Sequence, residues 1–410
     1  MKIRIGIIGL LPFLIAASPP TSIDPGVRGG PPGAGGPLSG LSEEMQHFFD
    51  AALKRFQNVD DVSSGLGPRF NLDNCAGCHS QPAIGGTSPA TNPEVAVANK
   101  AGATNTVPPF ITLNGPVREV RFPSNGGGVE DLYTISRRSD AGGCNITQPD
   151  FTTAIANNDI IFRIPTPLFG TGLIEDVPDD VLVANALPGA HFNRSGNDGT
   201  ITRFGWKAQN KSLLMFAGEA YNVEVGVTNE LFSNERENAA GCQFNATPED
   251  TTNLPKNSNR SSSIASNISS DITNFAFFGR FLAAPTPAPT TSTTTHGQQV
   301  FASVGCQGCH VAKQTTHGGV DFFPYSDMAL HDMGAGLVDG ITQGEASGSE
   351  FRTAPLWGVG QRLFFLHDGR SSNLVDAIEA HGGEAASVIS NFNTLSLSDQ
   401  QAIILFLRSL

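Results

Sequence analysis

The chain has 410 residues and a formal net charge of −13, and this length allows two or three domains with separate cores. Its acidic side chains outnumber the basic ones by 38 to 25. That excess argues against nucleic acid or an anionic lipid surface as a partner, since both require clustered Lys and Arg. Gly and Pro are abundant, at 46 and 27 residues, so we expect many loops over a modest helical core.

The first 18 residues have the pattern of an export signal. Lys2 and Arg4 precede an apolar run that ends in small residues and is too short to span a bilayer. An uncleaved N-terminal anchor is the alternative. After removal of the signal no second apolar span remains, so we expect a mature protein without a membrane partner, in the periplasm or secreted. Residues 19–40 are rich in Pro and Gly and are predicted to be a disordered lead-in.

Two amphipathic patterns indicate helices near the ends of the remaining chain. The stretch LSEEMQHFFDAALKRFQNV has apolar residues at helical spacing from Leu41 to Phe56, with Ser42 as a cap. The stretch LSLSDQQAIILFLRSL opens with Ser396 and carries Asp399 three residues on, which is the spacing of a capping box. We expect this closing helix to pack on an opening helix, as in cytochrome c.

Two pentapeptides, CAGCH and CQGCH, match the c-type haem attachment motif. Two thiols about one helical turn apart can each bond one vinyl group of a porphyrin, and the following His then binds the iron. Zinc knuckles pair at close spacing, whereas these motifs lie more than half the chain apart, and a redox dithiol has no use for the adjacent His. The sequence therefore predicts two covalent haems, held by Cys75, Cys78 and His79 and by Cys306, Cys309 and His310.

Two cysteines, Cys144 and Cys242, are left over. In an oxidising compartment a disulfide between them is the simplest interpretation. Buried free thiols are the alternative, and a catalytic thiol has little support because neither cysteine has a neighbouring His.

The Pro- and Thr-rich stretch APTPAPTTSTTT indicates the clearest boundary in the chain. It divides an N-terminal haem domain with a loop-rich insertion, residues 41–282, from a C-terminal cytochrome c-like haem domain, residues 296–410. Residues 283–295 are the predicted linker. The predicted fold class is therefore mainly α, with two cytochrome c-like haem domains and long loop-rich insertions.

Several longer segments resemble the bacterial di-haem oxidoreductase family, which is related to the di-haem cytochrome c peroxidases. They include GLGPRFNLDNCAGCH, GLIEDVP, RFGWKA, FGRFLAAP, YSDMALHDMG and FRTAPLWGVGQRLFFLHDGRSSNLVDAIEAHGGEA. The resemblance implies two haem domains that exchange electrons and a small redox protein or small-molecule electron donor as partner. It also implies a Ca²⁺ between the domains, although this sequence has no acidic loop with recognisable calcium-ligand spacing.

The resemblance and the helical pattern together make His381 a candidate ligand of the second iron. Leu374, Ala377 and Ile378 form the apolar stripe of a helix, and His381 takes the next position on that stripe. In the related peroxidases a helix after an HDG-type turn supplies the sixth ligand, commonly Met. We expect His381 to bind the iron opposite His310. A buried His bonded to backbone and the competing ligand Met333 are the alternatives.

The first haem has no comparable partner, and an open position would suit a peroxide. A nearby acid would then assist O–O cleavage, and Glu175 in GLIEDVP is the candidate. The alternative is that Glu175 caps a helix or lies on the surface.

A few further residues are weaker candidates. They are Arg352, His367 and Arg370 as partners of haem propionates, Trp206 and Trp357 as aromatic groups between the haems, and Lys207 as an iron ligand.

The sequence thus predicts an exported di-haem c-type oxidoreductase, peroxidase-like at the N-terminal haem. The alternatives are an electron carrier with both irons six-coordinate and a structural or sensing cytochrome.

Overall fold

The computed structural model describes residues 22–252 and 269–410. The predicted export signal, residues 1–18, lies outside the described residues. Within these two ranges, no helix is long and apolar enough to cross a bilayer.

Helices account for most of the regular structure in the described residues. In chain order they are α1 (Glu43–Gln57), α2 (Cys75–Cys78), α3 (Glu94–Val97), α4 (Phe151–Ala156), α5 (Thr171–Glu175), α6 (Asp179–Asn185), α7 (Leu213–Ala220), α8 (Asp271–Phe281), α9 (Ser292–Val304), α10 (Leu374–Glu379), α11 (Ala386–Thr394) and α12 (Leu397–Ser409). One π-helical turn, Tyr221–Val225, continues α7.

The prediction of a mainly α fold is correct only in part, because the described residues also contain four small antiparallel sheets. Their strands are β1 (Arg69–Phe70), β2 (Glu119–Arg121), β3 (Val129–Glu130), β4 (Tyr133–Thr134), β5 (Ile161–Arg163), β6 (Gln314–Thr315), β7 (Asp321–Phe322), β8 (Leu330–Asp332) and β9 (Glu350–Arg352). They pair as β1–β4, β3–β2–β5, β6–β7 and β8–β9. Strands of two or three residues are too short to show an alternating pattern in the sequence.

The N-terminal half is built around the contact of α1 with α8. Ser42 caps α1 as predicted, since its Oγ accepts a backbone hydrogen bond from the first turn at 3.3 Å. The predicted apolar face is buried at Phe49, Ala52 and Phe56. The ring centroids of Phe56 and Phe278, which lies on α8, are 4.7 Å apart.

The C-terminal half is built around the contact of α9 with α12. Ser396 caps α12 through a backbone hydrogen bond of 3.2 Å from the first turn, as predicted. A Cβ added to Gly297 of α9 would lie 2.0 Å from the carbonyl oxygen of Ala402, so the two backbones approach closely. The rings of Phe301 and Phe406 lie 5.5 Å apart across this contact. The closing helix α12 therefore packs on α9, the helix that opens the C-terminal half and leads into the second motif.

Residues 22–40 were predicted to be a disordered lead-in, but the structure ties them to both halves of the molecule. They contain almost no regular secondary structure. Asp24 nevertheless forms a buried ion pair with Arg408 at 2.6 Å and accepts the N–H of Leu374 at 2.7 Å. Leu38 donates its N–H to a carbonyl at the end of α8 at 2.7 Å. Composition did not reveal these contacts because the partners are distant in sequence.

The predicted linker, residues 283–295, is shortened by helix formation. Helix α9 begins at Ser292, inside the linker, because Thr291 caps it: Thr291 Oγ1 accepts the N–H of Thr294 at 3.1 Å. The Thr-rich composition that indicated a linker also supplies a helix cap.

The two spare cysteines, Cys144 and Cys242, form the predicted disulfide. It joins positions 98 residues apart, so it restricts the unfolded chain over a long loop of the N-terminal half.

We expect the variant Asp24→Asn to destabilise the protein, because it leaves the Arg408 guanidinium buried without its counter-ion. Breaking a buried pair by removing one partner costs roughly 3–5 kcal/mol. Chemical denaturation of the holoprotein measures this change. The control is Asp321→Asn, which removes a half-exposed ion pair with Lys313 and should leave the unfolding midpoint unchanged. Equal midpoints for the two variants would contradict the buried role of Asp24.

Candidate functional site

The first Cys-x-x-Cys-His motif forms a single helical turn. Asn74 caps α2, since its Oδ1 accepts the N–H of Gly77 at 2.7 Å, and the N–H of His79 donates to Cys75 O at 3.1 Å. Cys75 and Cys78 are free thiols that are one turn apart. This is the spacing that two thioether bonds to one porphyrin edge require.

The chemistry of these thiols does not fit a redox or zinc site. Burial raises the pKa of Cys75 to about 12 and raises that of Cys78 well above its usual value. Redox-active and metal-binding cysteines need the thiolate form, which a lowered pKa favours. Among the described residues, no group of three or more His, Cys, Asp or Glu side chains is arranged to hold a metal ion.

The His79 side chain is oriented by a backbone carbonyl. Its Nδ1 lies 2.9 Å from Gly86 O, and burial lowers the imidazole pKa. A neutral imidazole with Nδ1 bonded in this way keeps Nε2 free as a ligand atom, which is the usual arrangement of metal-binding histidines. A Cβ on Gly86 would lie 2.0 Å from Gln81 O, so this turn requires glycine.

The first motif opens into the larger of two neighbouring cavities, which we call the large cavity. Its empty volume is about 1180 Å³, which includes the open solvent at its mouth. Apolar side chains form much of its lining: Phe56, Leu72, Val117, Ile164, Leu168, Phe216, Val225 and Phe275. An apolar space next to two thiols and a free imidazole nitrogen has the chemistry that a haem requires.

The large cavity also has a charged wall, which includes the side chains Glu94, Glu119, Arg121, Arg163 and Glu224. Burial raises the pKa of Glu94 to about 8. Burial and the nearby Glu119 charge raise that of Glu224 to about 8 as well. Carboxyl groups that keep their protons near neutral pH inside a cavity are typical of general acids.

The second motif repeats the geometry of the first. The N–H of His310 donates to Cys306 O at 3.0 Å, and His310 Nδ1 lies 3.0 Å from Tyr325 O. Burial lowers the pKa of His310 to about 4. Cys306 and Cys309 are again free thiols. His310 therefore also presents a neutral imidazole with Nε2 free.

The structure brings His381 into the surroundings of His310. Helix α10 buries Leu374, Val375 and Ala377, and His381 follows the helix with Nδ1 2.8 Å from Ala377 O. Burial lowers the pKa of His381, and the proximity of His381 lowers that of His310. Both imidazoles thus have Nδ1 bonded to backbone and lie within electrostatic range of each other.

The glycine pair after His381 allows a close approach of two backbone segments. Gly383 has φ +52°, and a Cβ there would lie 2.2 Å from Asp332 O. The turn that holds Met333 therefore passes directly beside the end of α10. The Met333 side chain packs against Ile164, Trp206 and Phe351.

Another buried histidine near the second motif, His331, is fully engaged in hydrogen bonds. Its Nε2 lies 3.0 Å from Asp327 and its Nδ1 2.8 Å from Glu384. With both nitrogens occupied, His331 is unsuited to be a ligand, unlike His381.

A smaller cavity of about 550 Å³ lies next to the large cavity, and we call it the small cavity. Thr166, Leu168, Gly205, Trp206 and Phe216 line both of them. Trp206 is held by a hydrogen bond of 2.8 Å from Nε1 to Ile164 O.

The remaining lining of the small cavity comes partly from the C-terminal half, including Arg352, Trp357 and Arg362. The two tryptophans singled out in the sequence, Trp206 and Trp357, therefore line a space between the two halves.

Other weaker candidates have structural contacts. Lys207 is fully buried and donates to Ser347 O and Glu350 O at 2.8 Å, with Asp339 at 3.0 Å. His367 stacks on Phe351 with ring centroids 4.3 Å apart. Arg370 pairs with Asp368 at 2.6 Å. These contacts leave Lys207 and Arg370 with partners inside the chain.

The proposed acid Glu175 lies outside both cavities. Its carboxylate pairs with Arg280 at 2.6 Å and accepts the N–H of Leu213 at 2.8 Å. This geometry fits the alternative role, because the carboxylate holds the start of α7 and an arginine of α8.

Sequence reasoning missed three polar residues of the cavities: Glu94, Glu224 and Arg362. Each lies among apolar neighbours, in the strings PEVAV, NVEVG and QRLFF. A charged side chain within an apolar run is a weak signal of burial, and only the fold shows which cavity it lines.

Comparison with solved structures finds partial likenesses. Kuenenia stuttgartiensis hydrazine synthase pressurised with 20 bar xenon matches with 19% identity and a TM-score of 0.25, over 36% of this chain and 58% of that chain. A MauG-like protein associated with microbial copper homeostasis matches with 17% identity and a TM-score of 0.27, over 37% of this chain and 55% of that chain. The chain thus spans less than two thirds of either structure. No curated protein sequence matches it.

A family of known sequences gives a more extensive match. The family described as "Di-haem oxidoreductase, putative peroxidase" matches residues 184–410, which is more than half of the chain and includes the second motif and His381. The first motif lies N-terminal to the matched residues, whereas the lining of the large cavity comes from both sides of residue 184 and includes Trp206 and Glu224 within the match. This chain belongs to the di-haem oxidoreductase family.

Proposed function

We propose that the chain is an exported di-haem c-type oxidoreductase that reduces peroxide at the large cavity and receives electrons in the C-terminal half. Cys75, Cys78 and His79 would hold one haem, and Cys306, Cys309, His310 and His381 the other. The bound haems would supply the one-electron redox chemistry that the side chains lack.

The observation that carries this proposal is the difference between the surroundings of the two motif histidines. His310 has His381 nearby as a second neutral imidazole. Among the described residues that line the large cavity, His79 is the only His, and no Met, Lys or free Cys other than the motif thiols lines it. An iron held by His79 alone would keep a position for a small oxidant, whereas two histidines favour electron transfer.

Glu224 is the best-placed residue to hold a proton for this reaction. It lines the large cavity, and one carboxylate oxygen, Oε2, accepts a hydrogen bond from Asn71 at 2.8 Å. The carboxyls of both Glu224 and Glu94 have a pKa of about 8, but Glu94 is 1% exposed and held by Asn92 and the backbone of Arg118. Glu224 is less enclosed, so its proton is the more accessible to a departing peroxide oxygen.

We expect Glu224→Gln to lower peroxide turnover by roughly 10²–10⁴-fold, the usual contribution of a general acid. In the unmodified protein turnover should fall as pH rises through about 8, where Glu224 loses its proton, and this limb should be absent in the variant. Steady-state rates with hydrogen peroxide and a reduced dye measure both effects.

The matched control for Glu224→Gln is Glu249→Gln. Glu249 is another carboxyl whose pKa is raised by burial, but it does not line the large cavity, so turnover should be retained. Loss of the alkaline limb in Glu94→Gln, with the limb intact in Glu224→Gln, would assign the proton to Glu94 instead.

His381→Ala should convert one low-spin haem signal to high-spin, because it removes the second imidazole from the C-terminal iron. Optical and EPR spectra of the oxidised protein measure this change. The control is His296→Ala, since His296 is exposed and pairs with Asp399. An unchanged low-spin signal would contradict the ligand role of His381 and bring Met333 forward.

The second candidate function is a non-catalytic electron carrier, favoured by the aromatic contact zone between the two halves at Trp206 and Trp357. Spectra with and without peroxide separate the two functions. Two low-spin signals that are inert to peroxide would indicate the carrier.

Covalent attachment has a direct test. The intact mass of the purified protein should exceed that of the processed polypeptide by two haem groups, and Cys306→Ser with Cys309→Ser should remove one of them. A colourless protein, or a mass without added haem, would contradict the proposal.

A further inference from the structure

We propose that Arg352 and Arg362 form a carboxylate-binding site in the small cavity, and that this site takes the propionate groups of the C-terminal haem. The inference rests on the proposed function, because it requires a haem at the second motif. The sequence already made Arg352 a candidate partner of haem propionates; the structure adds Arg362 and the cavity that both arginines line.

The Arg362 guanidinium is buried without a partner. The residue is 7% exposed, and its Nε and Nη2 are buried with no hydrogen-bond partner. No ion pair within the described residues reaches this side chain, although its carbonyl accepts a hydrogen bond from Arg408. An unpaired buried charge is strongly unfavourable, so the site implies an anion from outside the described residues.

Arg352 provides a second cation in the same cavity. Its Nε donates to Gly205 O at 3.1 Å, and its Nη1 donates to Thr353 O at 3.0 Å. These acceptors are neutral, and no carboxylate of the described chain pairs with it. Burial lowers the pKa of Arg352 to about 10, the nearby charge of Arg362 lowers it further, and the charge of Asp327 acts in the opposite direction.

The charge of this cavity is unusual for such an acidic chain. A third arginine in its lining, Arg203, is balanced by an ion pair with Asp179. Among the described residues, neither Arg352 nor Arg362 forms an ion pair with an acidic side chain, although the full sequence carries 38 Asp and Glu residues. Two neighbouring guanidinium groups with unfilled donors match two carboxylates, since the planar fork of Arg binds carboxylate oxygens in pairs.

The position of the site indicates the C-terminal haem as the source of these carboxylates. Arg352 belongs to β9 and contacts Met328 Sδ at 3.6 Å. The residue before Met328, Asp327, donates its N–H to Cys309 O at 3.0 Å. Two short contacts therefore connect the arginine to the second attachment turn. Two other sources have the same chemistry. One is a propionate of a haem in the large cavity, which shares lining residues with the small cavity, and the other is a free carboxylate from solution.

The test is a redox titration of the holoprotein followed in the optical bands of each haem. Arg362→Gln removes a positive charge near the C-terminal haem and should shift the potential of the low-spin haem to lower values, leaving the high-spin haem unchanged. Arg352→Gln should shift it in the same direction. Arg362→Lys keeps the charge and should preserve most of the potential, and it provides a second reading where the Gln variants fold poorly.

Lys211→Gln is the control, because Lys211 is half exposed, is already balanced by Asp198 and lines neither cavity. An unshifted low-spin potential in both Gln variants, or a shift confined to the high-spin haem, would overturn the proposal. Acetate titrated into the unmodified protein separates bound propionates from a free carboxylate: an unchanged low-spin potential supports bound propionates. A potential that responds to acetate, with the response lost in Arg362→Gln, would overturn them in favour of a free anion. Absence of any low-spin haem would instead count against the proposed function.

Discussion

The proposed function depends on one interaction, the hydrogen bond from a histidine Nδ1 to a backbone carbonyl. It occurs at His79, His310 and His381, with distances of 2.8–3.0 Å. In each case it sets the tautomer and turns Nε2 away from the backbone. Burial keeps all three rings neutral. Iron binding needs a fixed tautomer and a neutral ring. The backbone hydrogen bond supplies the first condition, and burial supplies the second.

The same hydrogen bond from histidine Nδ1 to a backbone carbonyl occurs in different surroundings in the two halves. The large cavity around His79 is lined by carboxyl groups with raised pKa values, which suits proton transfer to an oxidant. The second motif instead has a further imidazole on one side and an arginine-rich cavity nearby. Trp206 lines both the large and the small cavity, so under the proposed function the two haem sites would share one aromatic side chain. This difference between the surroundings of the two motifs is consistent with membership of a di-haem family.

Much of the local structure could be predicted because it depends on near neighbours in the sequence. The caps Ser42 and Ser396 and the two attachment turns each involve contacts within about one helical turn. The helix leading to His381 was likewise readable from its apolar stripe. The sequence did not reveal the ion pairs of Asp24, in the lead-in, and of Glu175. Their partners, Arg408 and Arg280, are far away in the chain. The sequence did not predict the small sheets, because strands of two or three residues are too short to show an alternating apolar and polar pattern.

The sequence by itself determined which residues can attach two haems and which family the chain resembles, since both depend on fixed spacings within short motifs. Only the tertiary structure decided that Glu224 lines a cavity and that Glu175 does not. It also decided that Arg362 is buried with no ion pair among the described residues, whereas Arg203 pairs with Asp179. The physical reason is that burial, pKa and charge balance are properties of groups brought together from distant parts of the chain, and no local pattern records which groups those are.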